Sequence, residues 1–252
     1  MNGLLRHSPS IYKGLSELGV PFKSDLDTWH KGITDNDFAE KINNLPAKIL
    51  PRVASFVAGN LDEVDTGIDL SNATDVDMTM ICYRGASGII TACEAIGTST
   101  SRCGILWFTD NMIYCITMNG SSSQNGSILY NNTGWFTLRM VYNGGGLADA
   151  DKLKLYINGN LQTLSYAATI PSSLGVIANT FTIGHALNGY TAGLISYVSV
   201  SKDGATASQY YPTGQGDYEY DVSGNNNHGT WSGTGSRYDF DLNGSRYAND
   251  NG

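Results

Sequence analysis

Charge is scarce in this chain of 252 residues. Only 15% of positions are Asp, Glu, Lys or Arg, against about 25% in ordinary globular domains. Solubility must therefore come from uncharged polar groups. Basic residues are the scarcer sign, 15 against 23 acidic, for a net charge of −8. Phosphate contacts need Lys and Arg, so this balance argues against nucleic acid as a partner. Long apolar runs are missing too. No stretch approaches about 18 consecutive apolar residues, which argues against membrane insertion by a helix. The first ten residues carry Arg6 and His7 but no apolar core of the length a secretion signal needs. The expectation is a chain without a signal peptide.

Cysteine is also sparse. Cys82, Cys93, Cys103 and Cys115 follow no CxxC pattern. They read as reduced strand residues, because free cysteine packs as a small hydrophobe. A disulfide needs an oxidising compartment, and nothing in the sequence supplies one. His7, His30, His185 and His228 are scattered, with no HExxH and no pair at ligand spacing. A GxSxG elbow is absent. Gly144-Gly145-Gly146 is not followed by Lys-Ser/Thr, so it is a strand connection and not a phosphate loop.

What is present divides in two near Pro51. Residues 1–52 hold seven Lys/Arg and six Asp/Glu, a net of +1, with four of the 6 Pro and only four of the 30 Gly. The remaining residues hold eight basic and seventeen acidic groups, a net of −9, with fourteen of the 15 Tyr. The first part predicts short helices at residues 10–18, 25–31 and 35–44. Ser24 and Thr34 serve as caps, and Phe38 and Ile42 share one face. Pro46 and Pro51 end helix formation. Three short helices bury little alone. This segment must lean on the rest of the chain, on another copy, or on another protein.

From residue 54 the pattern is short strands and turns. Strands are predicted at 54–58, 76–83, 88–96, 103–108, 112–118, 127–130, 135–142, 153–157, 161–166, 180–184 and 194–200. Met78, Met80 and Cys82 share one face by alternation. Asn158-Gly159 signals a type I′ hairpin turn. Trp135 opens an alternating strand and reads as a core anchor. Gly184 and Gly193 mark close approaches. Many short strands with Gly and Asn turns imply a mostly β chain built as a sandwich.

Four motifs in order are more specific. They are Trp135-Phe136-Thr137-Leu138-Arg139-Met140-Val141-Tyr142, Leu153-Lys154-Leu155-Tyr156-Ile157-Asn158-Gly159, Phe181-Thr182-Ile183-Gly184, and Gly193-Leu194-Ile195-Ser196-Tyr197-Val198-Ser199-Val200. Upstream, Phe56-Val57-Ala58-Gly59-Asn60 through Asp65-Thr66-Gly67 fits an opening strand. Residues 54–202 thus resemble the concanavalin A-like lectin/glucanase fold in its laminin-G-like and pentraxin-like branch. The resemblance implies a jelly-roll β-sandwich over 53–202; the change in composition makes residues 1–52 a helical attachment or oligomerisation segment, and residues 203–252 are expected to form a C-terminal extension packing on the sandwich. In that extension, Tyr210-Tyr211-Pro212-Thr213-Gly214 leads to Asp221-Val222-Ser223-Gly224-Asn225-Asn226-Asn227-His228-Gly229-Thr230. This resembles the C-terminal ends of bacteriophage structural and tail-fibre proteins. Its plainer reading is an Asx-type turn edging the sandwich. Gly235-Ser236-Arg237-Tyr238 recurs as Gly244-Ser245-Arg246-Tyr247, as two arms of one hairpin would.

Glucanases of this fold carry E-h-D-h-x-E or a form one residue shorter on one strand. Here Glu63-Val64-Asp65-Thr66-Gly67-Ile68 lacks the final Glu, so the expectation is no catalytic residue and no enzyme. No cofactor is expected. Calcium stays open through Asp62, Glu63, Asp65 and Asp69, or Asp149 and Asp151, against a plain solvated acidic rim. Glycan contact needs exposed rings and amides. Tyr190, Tyr211 and Trp231 are the leading candidates, with Tyr114, Tyr130 and Tyr210 beside them. The expected function is a non-enzymatic phage virion component (capsid decoration, head fibre or tail fibre) displaying a lectin-like domain toward a host-surface glycan. Its other partners would be virion proteins, met through residues 1–52. A homo-oligomer, with a trimer as the first choice, and a virion location complete the expectation. A free carbohydrate-binding module is the alternative, and a glycoside hydrolase ranks below it.

Overall fold

A computed structural model describes residues 53–85, 90–212, 214 and 217–233, and the backbone of 239–240 and 246–247. The three expected N-terminal helices lie outside these residues. In chain order the strands begin with β1 (Val53–Phe56), β2 (Glu63–Asp65), β3 (Asp75–Arg84), β4 (Thr91–Thr98), β5 (Ser101–Trp107), β6 (Met112–Thr117) and β7 (Asn125–Leu129). They continue with β8 (Gly134–Asn143), β9 (Leu153–Ile157), β10 (Asn160–Leu161), β11 (Ser165–Tyr166), β12 (Phe181–Ile183), β13 (His185–Ala186) and β14 (Gly189–Tyr190). The last are β15 (Gly193–Lys202), β16 (Ser208–Tyr210), β17 (Tyr218–Glu219), β18 (Gly229–Ser232), β19 (Asp239–Phe240) and β20 (Arg246–Tyr247).

These strands form two antiparallel sheets. The first runs β10-β9-β8-β3-β15-β1-β19-β20, with β16 also paired to β15. The second runs β11-β7-β6-β5-β4-β12-β2-β18-β17. A small hairpin, β13-β14, stands apart from both. The period of two sends alternate side chains to opposite faces. From the first sheet Met78, Met80, Cys82, Leu138, Met140 and Tyr142 point inward. From the second come Cys93, Ile105, Trp107, Ile113, Cys115 and Phe181, and these residues make one buried core. The chain therefore has the expected mostly β sandwich architecture, and the predicted face of Met78, Met80 and Cys82 is fully buried.

Two local expectations change. Trp135 is not the core anchor. It pairs with Tyr83 on the outer face of the first sheet, at a ring separation of 5.5 Å, while Phe136 takes the inward position. Trp107 is a core tryptophan instead, packed edge-on against Tyr130 and Phe136 with the Arg84 guanidinium 4.6 Å over its ring. The predicted strand 161–166 is also split. Asn158 and Gly159 adopt φ of 50° and 78°, as a type I′ turn requires, and fold β10 back on β9. The chain then crosses, and β11 pairs with β7 in the other sheet.

All four cysteines are free and fully buried. Burial pushes the Cys82 thiol up to about 12 and the other three higher still. They are packing groups without thiolate character.

Residues after 202 complete the sheets. β16 extends the first sheet beside β15, β17 and β18 extend the second beside β2, and β19 pairs with β1. β20, which holds Arg246 and Tyr247 of the second repeat copy, pairs with β19. Residues 235–238 of the first copy and 244–245 of the second lie outside the described residues. Buried Asp221 organises the Asp-Val-Ser-Gly-Asn segment. Its Oδ1 accepts from the Gln209 and Ser223 amides and the Ser223 hydroxyl at 3.0, 2.9 and 2.6 Å, and its Oδ2 accepts from the Asn227 amide. Those bonds hold the carboxyl below its ordinary range despite burial. Asn225 and Asn227 amides reach Thr206 and Ser208. The segment is an Asx-type turn that stitches the chain end to β16.

Candidate functional site

The outer face of the second sheet is built by strand parity. Phe181 and Ile183 turn inward, so Thr182 turns out, and the register lines up Glu94, Thr182, Asp65, Thr230 and Tyr218 across five strands. The neighbouring row pairs Glu63 with Ser232. Tyr218 is 54% exposed, and Asp65, Thr230 and Ser232 are exposed beside it. Tyr220 is also exposed and meets the His228 ring edge-on at 5.2 Å.

The hairpin β13-β14 sits over the other half of this face. Gly184 makes its entry, with φ of 91° and the Phe56 ring 2.3 Å from where a Cβ would lie. Here only glycine fits. His185 stacks flat on Tyr190, 4.1 Å apart and 2° from parallel, and its Nδ1 lies 2.6 Å from Glu63 Oε2. Ser232 donates to Glu63 Oε1 at 3.1 Å. Partial burial and the Glu63 charge raise the Tyr190 phenol above its ordinary value. Beneath the hairpin, Glu94 and Arg102 form a buried two-point ion pair, with Nη2 to Oε2 at 2.8 Å, and the Leu187 amide donates to Glu94 at 3.3 Å. Burial pushes the Glu94 carboxyl up against the opposing pull of Arg102. Ala92, Leu106, Ile116, Met118 and Ala186 form a second buried apolar cluster on this side. The face thus has an apolar, hairpin-covered half and an open polar half with Tyr218 at its edge.

The predicted site residues separate. Tyr190 belongs to the face, with one side of its ring taken by His185. Tyr211 lies elsewhere, against Tyr197 at 5.1 Å on the outer face of the first sheet. Trp231 is removed from the glycan candidates. It points inward, is 5% exposed, stacks on Phe56 at 5.0 Å, and donates from Nε1 to Glu219 at 2.8 Å. Its partner strand fixes the parity that sends Thr230 and Ser232 outward instead. Tyr210 is also buried, Tyr130 packs on Trp107, and Tyr114 stays half-buried on the outer face. Tyr218, Thr230 and Ser232 escape sequence reasoning because their strands are two and four residues long, too short for a periodic signal.

The acidic residues act as local turn builders. Asp62 accepts from the Val57 amide, Asp65 from the Gly67 amide and the Thr180 hydroxyl, and Asp69 from the Ser71 amide. Asp149 accepts from the Ile170 amide and Asp151 from the Ala148 amide. Among the described residues no group of three His, Cys, Asp or Glu could hold a metal ion. Glu63 and Asp65 do share the outer face, as alternation requires.

The architecture is that of a two-sheet β-sandwich with the concanavalin A-like fold. A protein from Bacteroides ovatus assigned to carbohydrate binding is similar to it, with a TM-score of 0.53 and 14% identity, over 73% of this chain and 59% of that one. This chain therefore spans under two thirds of that protein's length. The heptameric SAP-like pentraxin of Limulus polyphemus matches with a TM-score of 0.43 and 14% identity, over 59% of this chain and 75% of its own. The enzymatically active domain of tailspike protein 2 from bacteriophage CBA120 matches with a TM-score of 0.41 and 13% identity, over 60% and 25%. No protein-family model and no curated protein matches the chain.

Proposed function

We propose that this chain is a non-enzymatic, lectin-like domain that contacts carbohydrate through the open half of the second sheet's outer face. One observation carries the reading: exposed Tyr218 stands in line with Thr230 and Asp65, with Ser232 and Glu63 in the adjacent row. A tyrosine ring offers an apolar face to a sugar's C–H surface. Hydroxyls and carboxylates beside it satisfy sugar hydroxyls. All of them sit on paired strands, which hold such groups more precisely than loops do. The carbohydrate-binding assignment of the Bacteroides ovatus protein supports the same class. A non-enzymatic role is supported by the engagement of the carboxylates: Glu63 with His185, Asp65 with Thr180, Glu94 with Arg102.

The setting we propose is a phage virion, with the sandwich facing outward and residues 1–52 serving attachment to virion proteins or sister subunits. The Tyr210–Gly214 and Asp221–Thr230 motifs support it through their resemblance to phage structural proteins. Mass spectrometry of purified particles should then find the chain among the virion proteins.

The binding claim is tested on an array of glycans with and without calcium. Wild-type protein should retain at least one glycan, and Tyr218→Ala should weaken that binding by about tenfold, the loss of a stacking contact of roughly 1–1.5 kcal/mol. Failure of the wild type to bind any sugar would leave a purely structural role.

A further inference from the structure

Charge is unevenly shared between the two sheets. Among the described residues, Arg102 is the one Lys or Arg on a strand of the second sheet, and it is buried and paired with Glu94. Arg84 is buried against Trp107. Arg139, Lys154 and Lys202 belong to strands of the first sheet, and Lys152 stands just before β9. His185 is taken by Glu63 and Tyr190, and His228 accepts the Asp221 amide. The open half of the second sheet's outer face therefore carries carboxylates and, among the described residues, no Lys or Arg. Asp65 is exposed within the row, between Thr182 and Thr230. Its Oδ1 accepts from the Gly67 amide and the Thr180 hydroxyl, whereas no described residue donates to Oδ2. Tyr218 stands two strands away, which separates the two backbones by about 10 Å. Two adjacent pyranose rings span that distance, with Thr230 midway along it.

Building on carbohydrate contact by this face, we propose that its ligand is an amino sugar with a free, protonated amine, seated on Asp65 while the neighbouring ring stacks on Tyr218. An ammonium donates charge-assisted hydrogen bonds to a carboxylate oxygen. Asp65 Oδ2 is such an acceptor, fixed on a strand paired on both sides. Acetylation of the amine removes its charge and two of its three donors. A sialic, uronic or sulfated sugar fares worse still. Its anion meets Asp65 and Glu63 with no Lys or Arg beside it, and the net charge of −8 repels it at range. The row thus selects by repulsion as well as by attraction. Neutral sugars keep the ring contact and the hydroxyl partners but give Asp65 no charged donor.

The test is calorimetric titration of the full-length chain in mildly acidic, low-salt buffer with three probes: a chitosan-derived glucosamine tetramer, its fully N-acetylated counterpart, and sialyllactose. The free-amine tetramer should bind about tenfold more tightly than the acetylated one, the span of one charge-assisted hydrogen bond. Sialyllactose should show no binding. The preference should shrink severalfold as salt rises from about 50 mM to about 0.5 M. Asp65→Asn keeps an Oδ1 for the Gly67 and Thr180 bonds and removes the charge, so the ratio between the two tetramers should fall to about one. A wild-type chain that binds the acetylated tetramer or sialyllactose as tightly as the free amine would overturn the proposal and leave carbohydrate contact standing. So would an Asp65→Asn chain that keeps the full preference, or a wild-type chain that binds other sugars on the array and not the free-amine tetramer. A chain that binds no sugar at all would remove the proposal together with the carbohydrate reading beneath it.

Discussion

Arg102→Met is expected to destabilise the protein by about 3–5 kcal/mol, the cost of stranding one partner of a buried ion pair. For a chain of this size that is a fall in melting temperature of about 6–20 °C, at about 2–4 °C per kcal/mol. The cause is local. Glu94 lies on the outer face of a sheet yet is wholly buried beneath the β13-β14 hairpin. Both its oxygens are held by Arg102. With the guanidinium gone, the carboxylate keeps only the long bond from the Leu187 amide. It must ionise in an apolar setting or take up a proton. Glu94→Leu in the same background removes the stranded charge, so the double variant should recover most of the loss. Thermal denaturation of wild type and the single and double variants measures this. A single variant within 1 kcal/mol of wild type, or a double variant no better than the single, would contradict the assignment.

The second large effect separates neighbouring glycines. Gly144→Ala should cost about 3 kcal/mol or more, while Gly145→Ala should fall within about 1 kcal/mol of wild type. A Cβ on Gly144 would lie 1.9 Å from the backbone oxygen of Ser172. Nothing there is a flexible side-chain tip. The 170–175 loop is pinned by the Leu174 amide bonding to Ala73 and by the Gly175 amide bonding to Met118, while Gly144 itself donates to Thr74 at 2.7 Å. Relief therefore means moving backbone in two places. On Gly145 the nearest atom is Asn143 Oδ1 at 3.2 Å, a side-chain atom that can turn away. Urea denaturation midpoints compare the two directly, and equal midpoints would refute the packing argument.

Much of the fold was legible before any coordinates. The strands at 76–83, 135–142, 153–157 and 194–200 have alternating side chains over five or more residues, and they recur as β3, β8, β9 and β15. The Asn158-Gly159 turn was legible because positive φ at two successive residues selects that dipeptide. Trp135 misled because a large ring opening a strand suits either face. Its facing was settled by Tyr83 across the ladder, a partner some fifty residues earlier in the sequence. Trp231 misled for the opposite reason. Its surroundings of Gly, Asn and Thr read as an exposed turn, yet pairing of β18 with β2 aims the ring at Phe56.

The sequence by itself determined the class of fold and the division of charge at residue 52. Those depend on composition, local turn chemistry and period, which each short stretch carries within itself. Tertiary structure decided which residues face water. Tyr218, Thr230, Asp65 and Thr182 come from four separate strands, and only the pairing register brings them into one row. The same register gathers Ile81, Tyr197 and Thr137 into an apolar outer face. A one-residue slip in any of those pairings would send the whole strand's side chains to the other side. That information resides in long-range contacts and in no single segment of the chain.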